Sequence, residues 1–135
     1  MKALLFLGAI IGIYVYVYKK ELDENNNEDW VFKKKLDRGT DSCGAFGKSV
    51  YLHGDYLAVG SPNYRRDASV YIFKKENEEW NKKATLTDNL DESITNSSQF
   101  GSAVAISGSY LAVSCPSEWV PPPAGSNVNR TTSGY

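Results

Sequence analysis

The chain has 135 residues, of which 41% are hydrophobic and 13% aromatic, so it can fold around a packed core as one ordinary domain. Fifteen basic and sixteen acidic residues give a formal net charge of -1. This near balance excludes the global positive field with which proteins attract nucleic acid or an anionic membrane surface.

Residues 1–12 combine a charged start with an apolar stretch, as a secretory signal does. The uncharged stretch continues to Tyr18 and is shorter than the roughly 20 residues that cross a bilayer as a helix. Gly8, Ala9 and Gly12 are out of phase for a clean cleavage site. We expect a signal or an uncleaved anchor here, with a misplaced start codon or a cut fragment as the alternatives. An anchor is the one membrane contact that the sequence predicts.

An internal repeat occupies residues 13–116. The segment FGKSVYLHGDYLAVGSP, Phe46–Pro62, aligns without gaps on FGSAVAISGSYLAVSCP, Phe100–Pro116, and nine of the seventeen positions are identical. The motif VYVYKK from Val15 likewise matches VYIFKK from Val70. A third match pairs Trp30 and Leu36 with Trp80 and Leu86 at the same internal spacing. Because the pieces recur in the same order, they belong to one repeated structural unit.

Each unit is predicted to contain four short antiparallel strands, which in the complete copy span 50–53, 56–60, 69–75 and about 79–86. Val50 and Leu52 alternate with polar or aromatic residues, which is the period of a half-buried strand. Gly54 begins a two-residue hairpin turn, because glycine takes positive φ without a side-chain clash. Pro62 ends the second strand, since proline cannot donate to the ladder.

These motifs resemble the FG-GAP repeats of integrin α heads, because Phe-Gly at 46–47 and 100–101 is followed by a Pro-terminated strand at 62 and 116. The resemblance covers residues 12–116. It implies an all-β fold, a partial β-propeller of about two four-stranded antiparallel blades, with one complete blade and two half blades. The propeller repeats then occupy 13–116, and 117–135 form a polar loop leading to a missing strand.

Many repeats of this family hold calcium in a loop between the first two strands, where this chain has only HGDY and SGSY. Calcium takes about six to eight oxygen ligands, which Asp55 or Ser109 alone cannot supply. The chain therefore resembles a metal-free variant with a short hairpin, and we predict no metal or cofactor site. His53, the only histidine, is matched by Ser107 in the second copy and is interpreted as a strand residue. We predict no catalytic residues and no enzyme activity.

Two further features stay open at this stage. Cys43 and Cys115 occupy different places in the two copies, so we expect them to remain thiols, with a single disulfide as the alternative. Asn96 and Asn129 begin acceptor triplets for N-glycosylation in predicted loops, and chance accounts for both.

The chain contains the outer strands of one blade, one complete blade and the inner strands of another. Three interpretations remain: a fragment of a longer protein, a truncated gene prediction, or a unit that completes its ring by association with neighbouring blades of another chain. A nonfunctional reading frame is a further alternative.

The resemblance implies a noncatalytic scaffold for extracellular protein binding or cell adhesion, located outside the cell or at its surface. Protein partners are expected at the loops 63–67, 88–99 and 117–134. The alternative function is a set of accessory blades in a larger hydrolase acting on phospholipids or glycans, whose catalytic part lies outside this chain. No nucleic-acid partner is expected.

Overall fold

The computed structural model describes residues 14–40, 44–63, 68–88 and 99–116. Within these ranges the fold is all-β, and eight strands pair antiparallel with their neighbours in the chain. The strands are β1 Tyr14–Leu22, β2 Glu28–Asp37, β3 Ser49–His53, β4 Tyr56–Ser61, β5 Ser69–Glu76, β6 Glu79–Thr87, β7 Val104–Ser107 and β8 Tyr110–Val113. The predicted strands of the complete unit are confirmed to within one residue at their ends.

The strands form three separate sheets, ordered β1-β2, β3-β4-β5-β6 and β7-β8. Gly54 and Gly108 begin the tight turns before β4 and β8 with φ of 56° and 55°, which confirms the predicted use of glycine there. The segments predicted at 1–12 and 117–135 lie outside the described residues, as does Ile13.

The four-stranded sheet forms the middle of the molecule, and its two faces are covered by different elements. Its front face carries Leu57 and Val59 of β4 with Tyr71 and Phe73 of β5 and Trp80 of β6, and its back face carries Ala58, Val70 and Ile72. Successive strand residues point to opposite faces, so a strand buried on both sides is apolar throughout. β4 fits this expectation, because every residue from Leu57 to Ser61 is buried.

The front face packs against the β1-β2 sheet. Val15, Val17 and Leu36 of that sheet form one buried cluster with the aromatic and aliphatic side chains of the front face. Phe46, which precedes β3, joins this cluster with its ring edge-on to Tyr71, at 5.4 Å between ring centroids.

The back face packs against the β7-β8 sheet. Val104 and Ile106 are buried with Ala58 and Val70, and the partly buried Leu111 packs against the same cluster. Ser49 Oγ donates a hydrogen bond to the carbonyl oxygen of Gly101 across this interface, at 2.8 Å. The three sheets are therefore stacked face to face, with the four-stranded sheet between the two smaller ones.

The two stacking contacts repeat the same geometry. A Cβ on Gly47 would lie 3.0 Å from Val15 Cγ2, and a Cβ on Gly101 would lie 3.1 Å from Val70 Cγ2. Both glycines have positive φ, of 86° and 90°. Since Val15 and Val70 are matched positions of the sequence repeat, each Phe-Gly pair sits on the same point of the preceding sheet.

A β-bulge also recurs in both outer strand pairs. The register of β1 with β2 shifts between Val17 and Tyr18, and that of β5 with β6 shifts at the matched place between Ile72 and Phe73. The extra residue is a lysine each time, Lys33 or Lys83. A bulge recurring at one position is a designed feature of the strand pair and not a defect.

Candidate interaction surfaces

The residues that the sequence analysis weighed and rejected as catalytic or calcium-binding groups do not meet in the structure. His53 is exposed at the end of β3, opposite Tyr56. Asp55 and Ser109 occupy tight turns on different sheets, and Asp55 pairs with Lys75 at 3.5 Å. In the part of the chain that the structure describes, no group of three or more His, Cys, Asp or Glu side chains could hold a metal ion. The absence of catalytic and metal sites stays a prediction.

The predicted binding loops fall largely outside the described residues. Of the loops 63–67, 88–99 and 117–134, the structure describes only Asn63, Asp88 and Gln99. Cys115 is half-buried just beyond β8 and Cys43 is outside the described ranges, as are Asn96 and Asn129. The predictions about cysteine pairing and glycosylation therefore stay predictions.

The ends of those loops nevertheless share one location. Each sheet is a hairpin or meander of antiparallel strands, so its short turns lie at one end and its longer connections at the other. The longer connections join β2 to β3, β4 to β5 and β6 to β7. Contacts of Gly47 with Val15, and of Gly101 with Val70, align these ends across the stack. The three connections thus leave from one end of the stacked sheets.

An aromatic surface covers the outer side of the β1-β2 sheet. The side chains of Tyr14, Tyr16 and Tyr18 alternate with the buried valines of β1, and Phe32 of β2 packs on Tyr16 and Tyr18 at 6.4 and 5.9 Å between ring centroids. Trp30 lies farther along this side and is 56% exposed. We call these five residues the outer aromatic face. Nothing in the sequence argument predicted it as a surface, although the alternating tyrosines of β1 are its visible signal.

The charged groups near this face form local pairs with exposed partners. Lys35 Nζ lies 3.5 Å from the centre of the Tyr14 ring, within the range of a cation–π contact. Lys33 pairs with Glu21 at 2.7 Å, and its hydrogen bond lowers the pKa of the Glu21 carboxyl. Such exposed pairs stabilise a fold only slightly, so they indicate solvated strand surfaces and not a charged binding site.

A recess opens on the back-face side of the central sheet, between β5 and the β7-β8 sheet. It has a volume of about 420 Å³ and is lined mainly by apolar side chains, among them Tyr56, Ile72, Ile106 and Leu111. Tyr110 stands at its rim and is 82% exposed. We call this cavity the β8 recess.

Matched residues of the two repeat copies differ in exposure according to which side of the stack they face. Trp80 is 9% exposed on the covered front face, whereas its counterpart Trp30 is 56% exposed on the outer aromatic face. Leu36 is 4% exposed under the central sheet, whereas its counterpart Leu86 is 37% exposed beside the short β7-β8 sheet. The two members of each matched pair therefore differ in exposure because a neighbouring sheet covers one of them and leaves the other uncovered.

Comparison with known proteins gives no relative for this chain: no family model, curated protein or solved structure matches it. Among the described residues, no helix is long and apolar enough to cross a membrane. The interpretation of the exposed surfaces consequently depends on the geometry of the chain itself.

Proposed function

We propose that this chain is part of an FG-GAP-type β-propeller and serves as a noncatalytic scaffold for protein binding or adhesion outside the cell. The observation that carries the proposal is the repeated stacking contact, in which Gly47 meets Val15 and Gly101 meets Val70 in the same way. Propeller blades are four-stranded antiparallel sheets stacked face to face around an axis, and repeated contacts of this kind are what such stacking requires.

The side-chain environment supports the same proposal. Aromatic residues of the front face pack on small β-branched residues of the sheet before it, and the back face offers matched residues to the sheet after it. Repeat proteins gain stability from such interfaces between neighbours, because a single unit cannot bury both of its faces. These interfaces make the stacked sheets a rigid scaffold.

The location of the connections supports a binding role. Three longer connections leave from one end of the stacked sheets, whereas the opposite end carries the short turns at Gly54 and Gly108. Loops that a rigid scaffold groups together are the usual location of binding residues in β-rich proteins. We therefore assign partner binding to the connection end and a structural role to the turn end.

The test compares matched replacements at the two ends. In one variant, residues 64–67 and 89–98 are replaced by Gly-Ser sequence of equal length; in the other, Asn25 and Asn77 at the turn end are replaced by glycine. Each protein is immobilised and scored for adhesion of cells that express the chain. Adhesion that is lost in the first variant and retained in the second supports the proposal. Equal adhesion of both variants, or no adhesion by the unaltered protein, contradicts it.

Localisation is tested separately. The complete chain is expressed in eukaryotic cells beside a variant with Asn96→Gln and Asn129→Gln. An extracellular protein is expected in the medium or on the cell surface. A glycosidase-sensitive shift in gel mobility that the double variant lacks would add that the acceptor triplets are used. Recovery of the chain only in the cytosol would contradict an extracellular role.

A further inference from the structure

Two strand edges at opposite ends of the stack have no partner among the described residues. β1 pairs with β2 alone, and β8 pairs with β7 alone. In the central sheet, the counterpart of β8 is β4 and the counterpart of β1 is β5. These two strands pair with each other, from Tyr56 opposite Lys74 to Ser61 opposite Ser69. β1-β2 corresponds to the second half of the central sheet, and β7-β8 corresponds to its first half. The chain thus carries both halves of one further four-stranded sheet, separated by the central sheet.

We propose that a second copy of this chain supplies the missing half: β8 of one copy pairs antiparallel with β1 of the next, giving a sheet ordered β7-β8-β1-β2. This inference rests on the proposed function, because it assumes that the repeat copies are structurally equivalent. Open strand edges are templates for pairing with another chain, and here the template and its complement are on the same molecule.

The central sheet fixes the register of this pairing. Transfer of the observed β4-β5 pairs places Tyr110 opposite Lys19, Leu111 opposite Tyr18, and Ala112 opposite Val17 of the second copy. In the central sheet, Lys74 Nζ lies 5.6 Å from the centre of the Tyr56 ring. Lys19 takes the same place over the exposed Tyr110 ring.

The same register covers the apolar surfaces that one copy leaves open. Tyr18 of the second copy lies beside Leu111 and above Ile72, and thereby enters the β8 recess of about 420 Å³. Trp30 of the second copy lies near Leu86 of the first copy, because their counterparts Trp80 and Leu36 belong to one buried cluster within a single chain. Contacts that already exist within one chain therefore indicate that a second copy covers both the β8 recess and the surface around Leu86.

One residue departs from the equivalence. A Cβ on Gly60 would overlap the carbonyl oxygen of Gly101, and the matched residue after β8 is Ser114, which has a Cβ. In the assembly, the carbonyl of Gly47 of the second copy faces this serine. The pairing is accordingly limited to Tyr110–Val113, and Ser114→Gly is expected to strengthen it.

The contact joins different surfaces of the two copies, so it is head-to-tail. Such heterologous contacts produce a ring if the rotation closes and an open chain of copies if it does not. Each copy has eight described strands, equivalent to two four-stranded sheets. Counted over these described strands alone, a closed ring of this kind contains an even number of sheets.

Disulfide trapping tests the register. Lys75 N donates to the carbonyl oxygen of Asp55 at 2.7 Å, so the next pair, Tyr56 with Lys74, is a non-hydrogen-bonded pair. Opposed residues in such pairs have Cα atoms about 4.5 Å apart, within the range of about 4.4–6.8 Å that a disulfide spans. The matched intermolecular pair is Tyr110 with Lys19, and both side chains are exposed in the single chain.

The full-length chain is prepared with Cys43→Ser and Cys115→Ala, and then with either Tyr110→Cys or Lys19→Cys. Mixing these two proteins under mild oxidation is expected to give a disulfide-linked dimer, and the control mixture with Lys20→Cys, which points to the other face, is expected to give at least tenfold less. Adding Ser114→Gly to the Tyr110→Cys protein is expected to raise the yield. Equal yields from the Lys19 and Lys20 mixtures would overturn the proposal.

Light scattering on the unaltered chain provides an independent measurement that needs no cysteine. The mass is expected to rise with concentration in multiples of one chain, and Tyr18→Ala is expected to return it to that of a monomer, whereas Tyr51→Ala on β3 does not. A monomer at all concentrations overturns the assembly and leaves the internal stack intact. Failure of the proposed function would instead appear in the adhesion assay, as equal adhesion of both variants or no adhesion by the unaltered protein.

Discussion

The carbonyl oxygen of Gly101 lies where the side chain of Gly60 would begin, so no residue larger than glycine fits at position 60 without a shift of the backbone. The contact joins the central sheet to the segment that introduces β7, and Ser49 Oγ reinforces it by donating to the same carbonyl. Two sheets come this close because β4 has no side chain at this point on its back face.

We predict that Gly60→Ala lowers the free energy of unfolding by about 1–3 kcal/mol, the usual effect of forcing extra volume into a packed interior. The control is Ser114→Ala at the matched exposed position, which loses one hydrogen bond, from the backbone N–H of Ala103, and about 1 kcal/mol or less. Urea titration followed by circular dichroism measures both. Equal destabilisation by the two substitutions would argue against the close approach of the sheets.

The tryptophans give a second matched pair. Trp80→Ala removes a side chain that is 9% exposed in the front cluster, and we expect a loss of about 3–5 kcal/mol. Trp30→Ala removes its exposed counterpart and should change stability by no more than about 0.5 kcal/mol in a dilute monomer. The measurement is thermal and urea unfolding at low protein concentration. A larger loss for Trp30 than for Trp80 would reverse the assignment of covered and uncovered faces.

The Phe-Gly glycines provide a third prediction. Gly47→Ala and Gly101→Ala place a side chain on a backbone with φ near 90° and close to a valine methyl group, so each should cost about 2–3 kcal/mol. Gly54→Ala is the control: its φ is also positive, at 56°, but the space around it is open. Gly54→Ala should lower the free energy of unfolding only by the cost of the left-handed conformation, about 1 kcal/mol. Differential scanning calorimetry can rank the three variants.

Acid should weaken the fold through two matched carboxylates. Hydrogen bonds from the bulged Lys33 and Lys83 lower the pKa of Glu21 and of Glu76 below the usual 4.5, so both glutamates bind protons less readily in the folded chain. Their contribution is complete above the unfolded-state pKa and is lost as pH falls through the lower folded values. The double variant Glu21→Gln with Glu76→Gln should therefore show a shallower loss of stability from about pH 5 to pH 3.

Because the two lysines are exposed and the two glutamates only half-buried, added salt should also weaken these ion pairs. Unfolding of the unaltered chain at low pH should resemble that of the double variant once the ionic strength reaches about 1 M. A variant that loses stability more steeply with acid than the unaltered chain would contradict the sign of this linkage.

The sequence predicted the strands well because its signals are local. Turn glycines at 54 and 108, the strand-ending Pro62 and the alternation at Val50 and Leu52 each act over a few residues. The repeat then carried the assignment to the second copy. In the complete unit, the strand ends were correct to within one residue for the same reason.

The exposed surfaces could not be predicted in the same way, because exposure depends on which neighbour covers a face. Trp30 and Trp80 have the same sequence context and opposite environments. The clash that requires Gly60 and the recess above Ile72 arise between distant segments, so no local pattern indicates them. The ion pairs of Lys33 and Lys83 likewise depend on bulges that the sequence argument did not identify.

The central claim is that the sheets stack face to face with the same contact in each repeat. Nuclear Overhauser effects measured on valine-methyl-labelled protein test it most directly. The account predicts cross-peaks from the Val15 methyls to the Gly47 Hα atoms and from the Val70 methyls to the Gly101 Hα atoms, with similar intensity. Absence of both, together with cross-strand contacts joining β2 to β3 in one continuous sheet, would contradict the account.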